Sequence, residues 1–600
     1  MAEATGAQII ARSLRDLGIT TIFGIVGIPV VEIAEEAINL GIRFVAFRNE
    51  QACSYAASVY GYMTGRPGVC LVVGGPGVLH AMAGIGNASA NNFPLLVLAG
   101  SAETTVVTKG AFQEMDAVSL LTPHTKFAVR TSSLDFIPGA IKNAYRTCWY
   151  GRAGPTFVDL PADIIQGKSA PGFRLPAPEN ILIPSPPKAS GDPALIFKAA
   201  QLLRSARAPL LIIGKGAAYA RAEASINRLV EQTQIPFLPT PMGKGVVSDS
   251  HPLNVSSARS TALKHADVVL VLGARLNWIL HFGEPPKWSP SAKIIQVDIC
   301  AEEIGRNASS AELGILGDIE RVADQLATSL ANWRYDPSGT ESGFAAQLAE
   351  SAKKNEAKAL KAALTPTPPN APLTYQRAYH IIKSTLNTLS PLEDGNIVYV
   401  SEGANTMDIS RSIFPLHHPR QRLDAGTYAT MGVGMGYIVA AHEAYNAGVA
   451  NAGSTPKKIV ALEGDSAFGF SAMEIETLAR YRIPALIYVI NNSGIYHGDT
   501  TTEDAWKGLQ SQTLANDTKS ADGKKGLRST SLLYETRYEM MATMCGGKGY
   551  FVRTEEELEK ATHEGFQSDT VTLVNVVVEP GIGKSIGFAW QNAKEAKPRL

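Results

Sequence analysis

Ile459-Val460-Ala461-Leu462-Glu463-Gly464-Asp465-Ser466-Ala467-Phe468 runs into a helical pattern, Ser471-Ala472-Met473-Glu474-Ile475-Glu476-Thr477-Leu478. Leu486-Ile487-Tyr488-Val489-Ile490-Asn491-Asn492-Ser493-Gly494 follows. Each apolar run is continuous, short and bounded by turn residues. That pattern suits a strand buried on both faces of a parallel sheet, with the intervening helix as the crossover. One strand-helix-strand unit therefore carries Asp465 and Asn492 to neighbouring strand ends, a few ångströms apart. A carboxylate (Asp465), a carboxamide oxygen (Asn492) and a carbonyl oxygen (Gly494) are hard donors of the kind magnesium takes. Two phosphate oxygens and a water would complete an octahedron. Gly464 and Ser466 are small enough for backbone N–H groups and a helix N-terminus to approach phosphates. The plainer reading is a Gly-Asp turn and an unrelated Asn-Asn turn, both common in α/β loops.

Working outward, the same alternation recurs. Ile397-Val398-Tyr399-Val400 precedes this unit in a third block. A first block has strand candidates at Thr21–Ile25, Val69–Val73 and Leu95–Ala99. A middle block has them at Leu210–Gly216, Val268–Gly273 and Ile294–Asp298. Residues 168–194 are rich in Pro and Ser. Residues 335–373 hold a charged helical stretch and then Thr365-Pro366-Thr367-Pro368-Pro369. Both read as connections. The expected architecture is α/β: three doubly wound parallel-sheet domains, over 1–167, 195–335 and 374–600, with ligands at strand C-terminal ends.

The chain has 600 residues, 45% of them hydrophobic, with 55 basic and 55 acidic residues. That balance lacks the basic field needed for non-specific nucleic-acid binding, so no nucleic-acid partner is expected. Cys53, Cys70, Cys148, Cys300 and Cys545 show no CxxC or CxH spacing, so they read as reduced thiols rather than zinc ligands. Met1-Ala2-Glu3-Ala4-Thr5 opens no secretory signal, and no apolar run approaches the roughly 20 residues of a membrane span.

Gly464-Asp465-Ser466 followed by Asn491-Asn492 resembles the signature of thiamine-diphosphate enzymes, with Ser466 where that family usually has a third Gly. The resemblance runs nearly end to end and is strongest to 2-hydroxyacyl-CoA lyases, with oxalyl-CoA decarboxylases next. It is carried by Gly24–Pro29, Gly110–Glu114, Leu211–Tyr219, Leu238–Gly245 and Gly273–Trp278. It implies pyrimidine-binding, central nucleotide-binding-like and diphosphate-binding domains in that order. It also implies thiamine diphosphate with Mg2+, held by Asn405, Gly464, Asp465, Ser466, Ala467, Asn492, Gly494 and Ile495. Asp465, Asn492 and Gly494 would be the metal ligands. By the same resemblance, Glu50 bonds the aminopyrimidine and promotes loss of the thiazolium proton. Taken alone, Glu50 reads as a first-turn helix carboxylate facing the dipole. In Gly426-Thr427-Tyr428-Ala429-Thr430-Met431-Gly432, Met431 would bend the cofactor, and the Ala429 carbonyl and Met431 N–H would hold the pyrimidine.

Phe112-Gln113 looks like the lyase pattern, where the decarboxylases tend to carry Tyr-Glu. The implied reaction splits 2-hydroxyacyl-CoA into formyl-CoA and an aldehyde. The alternative is decarboxylation of oxalyl-CoA. Gln113 and Glu114 are expected near the thioester, Ile28 as a pocket wall, and Tyr496 as a proton-handling group. For CoA, Arg259, Ser260 and Arg411 are the matching positions, with Lys584 and Ser585 in a closing tail. Arg152, Lys215, Arg275, Asp298 and Asp318 match positions that bind ADP, an activator, in the decarboxylases; the other reading is a vestigial fold with ordinary ion pairs. An acetolactate-synthase-like enzyme with FAD, an oxidase or a pyruvate decarboxylase is the rival enzyme, and a non-catalytic nucleotide-binding scaffold the rival of another class. A homodimer or homotetramer is expected, because the family builds each site across two subunits. Pro598-Arg599-Leu600 is a loose variant of a peroxisomal address, so the expected location is peroxisomal or cytoplasmic.

Overall fold

Continuous apolar runs become strands buried on both faces in all three units of the computed structural model. The structure describes residues 3–337, 343–447, 455–515 and 526–582. Lys584, Ser585 and the C-terminal tripeptide lie outside them. The first unit contains β1 (Thr21–Gly24), β2 (Arg43–Ala46), β3 (Gly68–Val72), β4 (Leu95–Ser101), β5 (Ala128–Arg130) and β6 (Pro155–Pro161). The central unit contains β7 (Pro209–Ile213), β8 (Phe237–Pro239), β9 (Val268–Leu272), β10 (Lys293–Asp298) and β11 (Gly314–Leu316). The third contains β12 (Ile397–Glu402), β13 (Arg422–Asp424), β14 (Lys458–Gly464), β15 (Leu486–Asn491), β16 (Lys548–Val552) and β17 (Thr572–Val577).

Every pairing within these sheets is parallel. The first sheet runs β2-β1-β3-β4-β6-β5 and the third β13-β12-β14-β15-β17-β16. The two orders are the same, which no local sequence pattern signals. In each, the first and third strands in chain order lie side by side, and the winding reverses between them. Loops part there and leave a crevice beyond the strand ends. In the third sheet the crevice lies between the ends of β12 and β14, where Glu402 pairs in register with Glu463.

The first and third units pack through helices. Asn49 caps the helix Glu50–Thr64 by accepting from the Gln51 N–H, and Gly65 at φ 73° ends it. Its buried face is built of small residues, Ala52, Ser54, Ala56 and Ala57. Opposite them stands Gly436 of the helix Gly434–Tyr445, where an added Cβ would lie 2.4 Å from the Ala52 carbonyl. One core cluster runs across this contact, from Phe23 and Val72 to Val400 and Ile459. The charged stretch expected in the second connection is a 21-residue helix, Phe344–Leu364. Buried Phe344 and a Thr261–Ser351 hydrogen bond of 2.9 Å fasten it to the central unit. Among the described residues no helix is long and apolar enough to cross a membrane.

Candidate active site at the rim of the third sheet

Asn405, Met431, Gly464, Asp465, Ser466, Ala467, Asn492, Gly494, Ile495 and Tyr496 line one cavity at the β12/β14 crevice. Asp465 Oδ1 accepts the Ser466 N–H at 2.8 Å and Oδ2 the Gly494 N–H at 3.3 Å. Asn492 Oδ1 accepts the same Gly494 N–H at 3.1 Å, so both side chains converge on one point of backbone. The Asn492 carboxamide is oriented from behind, where its Nδ2 donates to the Tyr496 carbonyl (2.9 Å) and the Tyr375 hydroxyl (3.3 Å). Asn405 donates to the same Tyr496 carbonyl at 2.8 Å. Asn491 turns the other way, donating to Thr536 O and Asn575 Oδ1 and accepting the Ser493 N–H. It ties strand ends together and is not part of the cavity lining.

Burial pushes the Asp465 carboxyl up to about 7, against the N–H donors of Ser466 and Gly494. A cation beside it would restore the charged form. Among the described residues no cluster of three or more His, Cys, Asp and Glu could hold a metal. A metal here would therefore draw on one carboxylate, one carboxamide and one carbonyl, and take its remaining oxygens from a phosphate ligand and water. That donor set fits a magnesium-diphosphate group.

Behind this rim lies a carboxylate pair the sequence does not announce. Glu402 and Glu463 are fully buried neighbours, and burial lifts both above the usual carboxylate range. Glu402 accepts the N–H groups of Gly432 and Gly434. It thereby holds the backbone directly after Met431. Ala429, two residues before Met431, sits at φ 53°, a conformation few non-glycine residues adopt.

On the first sheet Glu50 opens its helix at the end of β2 and is not among the residues lining this cavity. Its Oε2 stands 3.1 Å from His80 Nδ1, a contact sequence reasoning missed. Glu474, on the helix following the anchor, accepts the Arg48 N–H at 3.1 Å and so fixes the strand exit leading to Glu50. Burial pushes Glu474 up to about 7. Gln113 is at φ 54°, its carbonyl against Gly75. Glu114, expected near a thioester, is occupied with its own loop. Its carboxylate accepts the N–H groups of Thr108, Gly110 (2.9 Å) and Ala111 (3.0 Å), which hold it below its ordinary range. Ile28 and Phe112 are 67% and 70% exposed, two large apolar side chains open to solvent in a single chain.

Arg152, Lys215, Arg275, Asp298 and Asp318 all line a second cavity, of about 440 Å3, at the strand ends of the central sheet. Arg152 pairs with Glu303 at 3.0 Å. The residues expected at CoA are more committed. Arg259 donates to Ile279 O (2.5 Å) and stands 3.2 Å from His281 Nε2. Arg411 is shared between Asp408 (2.6 Å) and Asp424 (3.1 Å). Ser260 is exposed. A phosphate would have to displace those partners.

Three parallel sheets, with a Gly-Asp turn and an Asn at the switch point of the last, define a thiamine-diphosphate-dependent enzyme. The chain matches the three family models of the thiamine pyrophosphate enzymes over most of its length. The N-terminal TPP binding domain covers residues 4–120, the central domain 196–326 and the C-terminal TPP binding domain 402–576. It is 46% identical over 592 residues to "2-hydroxyacyl-CoA lyase 1" of Homo sapiens, covering 98% of this chain and 97% of that protein. It is 43% identical to "2-hydroxyacyl-CoA lyase" of Saccharomyces cerevisiae (99% and 100% covered). To "Oxalyl-CoA decarboxylase" of Escherichia coli strain K12 it is 37% identical (97% and 96% covered). The chain belongs to the thiamine-diphosphate-dependent family of 2-hydroxyacyl-CoA lyases and oxalyl-CoA decarboxylases, and is a carbon-carbon lyase.

Proposed function

We propose that this enzyme cleaves 2-hydroxyacyl-CoA between the thioester carbon and the hydroxyl-bearing carbon, releasing formyl-CoA and an aldehyde. The observation that supports the substrate choice is the exposure of two large apolar side chains, Ile28 and Phe112, the first of them assigned here as a wall of the substrate pocket. An alkyl chain gains by covering such a surface, at roughly 25 cal/mol per Å2. A second carboxylate, as in oxalyl-CoA, would lose hydration there without gaining a counter-ion. The greater identity to the lyases than to the decarboxylase points the same way.

When bound, thiamine diphosphate would supply a nucleophilic carbon for the thioester carbonyl and an electron sink for the bond that breaks. The chain's residues position and protonate. Asp465, Asn492 and the Gly494 carbonyl would hold Mg2+, with the small residues Gly464 and Ser466 leaving room for the diphosphate. Met431 would support the bent cofactor, and the Ala429 and Met431 backbone groups would align the pyrimidine. Glu50 would exchange a proton with the pyrimidine, with His80 against its carboxylate. The substrate hydroxyl gives up its proton as the aldehyde leaves, and a proton returns to the carbon that becomes formyl. Tyr496 is the group assigned to proton handling, and Gln113 to a polar contact near the thioester.

Glu50 and Asp465 meet, on this reading, across a homodimer or a dimer of dimers. The 440 Å3 central cavity takes ADP, with three cations for the phosphates and two carboxylates for ribose or adenine. The reaction is tested by incubating the pure protein with thiamine diphosphate, Mg2+ and either a 2-hydroxyacyl-CoA or oxalyl-CoA. Formyl-CoA and aldehyde from the first are expected. Carbon dioxide from oxalyl-CoA with no turnover of the first would reverse the assignment.

A further inference from the structure

Thr427 lies in the third unit, yet none of the contacts on its polar groups comes from that unit. Its N–H donates to Asn91 Oδ1 of the first unit at 3.0 Å. Its carbonyl accepts the Trp278 indole N–H at 2.8 Å, and its Oγ1 the Arg275 guanidinium at 3.2 Å, both from the central unit. Lys215, also central, reaches the Asn91 carbonyl and, at 3.3 Å, the same Oδ1 that receives Thr427. Two residues on is Ala429 at φ 53°. Such a conformation persists only where its surroundings over-determine it. Thr430 gives it a second brace, donating to Asn87 Oδ1 at 3.1 Å. Thr427 and Thr430 are thus braced from the first and central units, while Asp424 and Glu402 of the loop's own unit hold it at Gly426 and after Met431.

Part of this set also walls the central cavity. Lys215, Arg275, Asn91, Gly426 and Thr427 line it together with Arg152, while Trp278 grips Thr427 from outside the lining. Its cations crowd one another. Lys215 is pushed well below its usual range, first by burial and then by Arg275. A polyanion between them would offset that repulsion and let Lys215 and Arg275 stay charged against Asn91 and Thr427.

We propose that Arg275 and Trp278 are positioning residues for the thiamine pyrimidine, acting through Thr427, and that a nucleoside diphosphate in the central cavity tightens the hold on thiamine diphosphate through Arg275, which lines that cavity. The second half rests on the reading of that cavity as an ADP site. The first half does not. Linkage makes the effect mutual: bound cofactor tightens the nucleotide by the same factor.

The experiment is calorimetric. Thiamine diphosphate is titrated into Mg2+-containing protein with and without ADP, and ADP binding is measured alone. A Kd for thiamine diphosphate about 5-fold or more tighter with ADP is expected, in the usual range of such couplings. Thr427→Val should bind ADP but lose the tightening, and Thr427→Ser should restore it. Trp278→Phe, which removes the N–H donor and shrinks the ring, should weaken thiamine diphosphate several-fold without ADP, with the cofactor-free melting temperature close to the parent's. ADP that binds without altering the cofactor's Kd overturns the coupling and leaves the nucleotide reading intact. ADP that fails to bind overturns the nucleotide reading and the coupling with it. A Trp278→Phe protein with the parent's cofactor Kd overturns the positioning role in either case.

Discussion

At the scale of single residues, the predictions concern carboxylates. Glu50→Gln keeps the shape and one hydrogen bond but cannot pass a proton. It should bind thiamine diphosphate and lose turnover by about 10²–10⁴, the usual worth of a positioned acid-base group. Full activity in that variant would end its catalytic assignment. Glu474 gives a pH signature. Its folded-state pKa, about 7, lies above its ordinary 4.5, so the folded protein holds this proton longer than the unfolded chain does. The stability it contributes is present below pH 4.5 and is lost as pH rises through 7, by on the order of 3 kcal/mol at most. Glu474→Gln removes that titration. The urea midpoint of the variant should therefore improve relative to the parent between pH 5 and pH 8, and a constant gap would show an ordinary carboxyl. Asp465 and Asn492 were legible in the sequence because their types, order and strand-end context are local. Glu474 and His80 were not. Glu474 meets the Arg48 backbone across more than four hundred residues of chain, and only the packed units bring them together. Arg411 teaches the converse. Its residue type suggested a phosphate partner, but Asp408, three residues before it on the same helix, already takes the guanidinium, at a spacing readable in advance.

At the scale of elements, the strands were the legible part. Runs such as Val268–Leu272 and Leu486–Asn491 are buried throughout and almost wholly apolar because each is covered on both faces. Helix packing was not legible, because it depends on which small residue faces which backbone. Gly436 against Ala52 is the clearest case. A methyl group there must push the helix Glu50–Thr64 away from Gly434–Tyr445. Gly436→Ala should cost about 1–3 kcal/mol by overpacking. It should also lower turnover, since Glu50 is the first residue of the displaced helix. A variant with parental melting temperature and rate would show that the contact yields freely. The 21-residue helix Phe344–Leu364 was foreseen as helical but read as a connector. Its attachment at Thr261 shows that a charged sequence with few buried residues can still be docked.

At the scale of the whole molecule, Glu50 stands outside the cavity that Asp465 lines in its own chain. If each centre joins Glu50 of one copy to Asp465 of another, then Glu50→Gln and Asp465→Ala proteins are each inactive alone. Co-expressed, they should recover part of the parental rate, since a mixed pair contains one intact centre and one doubly damaged one. No recovery, or a monomer by sedimentation at working concentration, would place the centre within one chain. The shared winding order of the first and third sheets gives this arrangement a history. The plainest origin of one order used twice in a chain is duplication and fusion of an ancestral unit that paired with its own copy. Such an ancestor would have had two identical rims, each asked to do everything. Once fused, the descendants could divide the labour. β14 leads into Asp465 and carries the charge, while β3, its counterpart, leads into Gly74-Gly75 and carries only the bend.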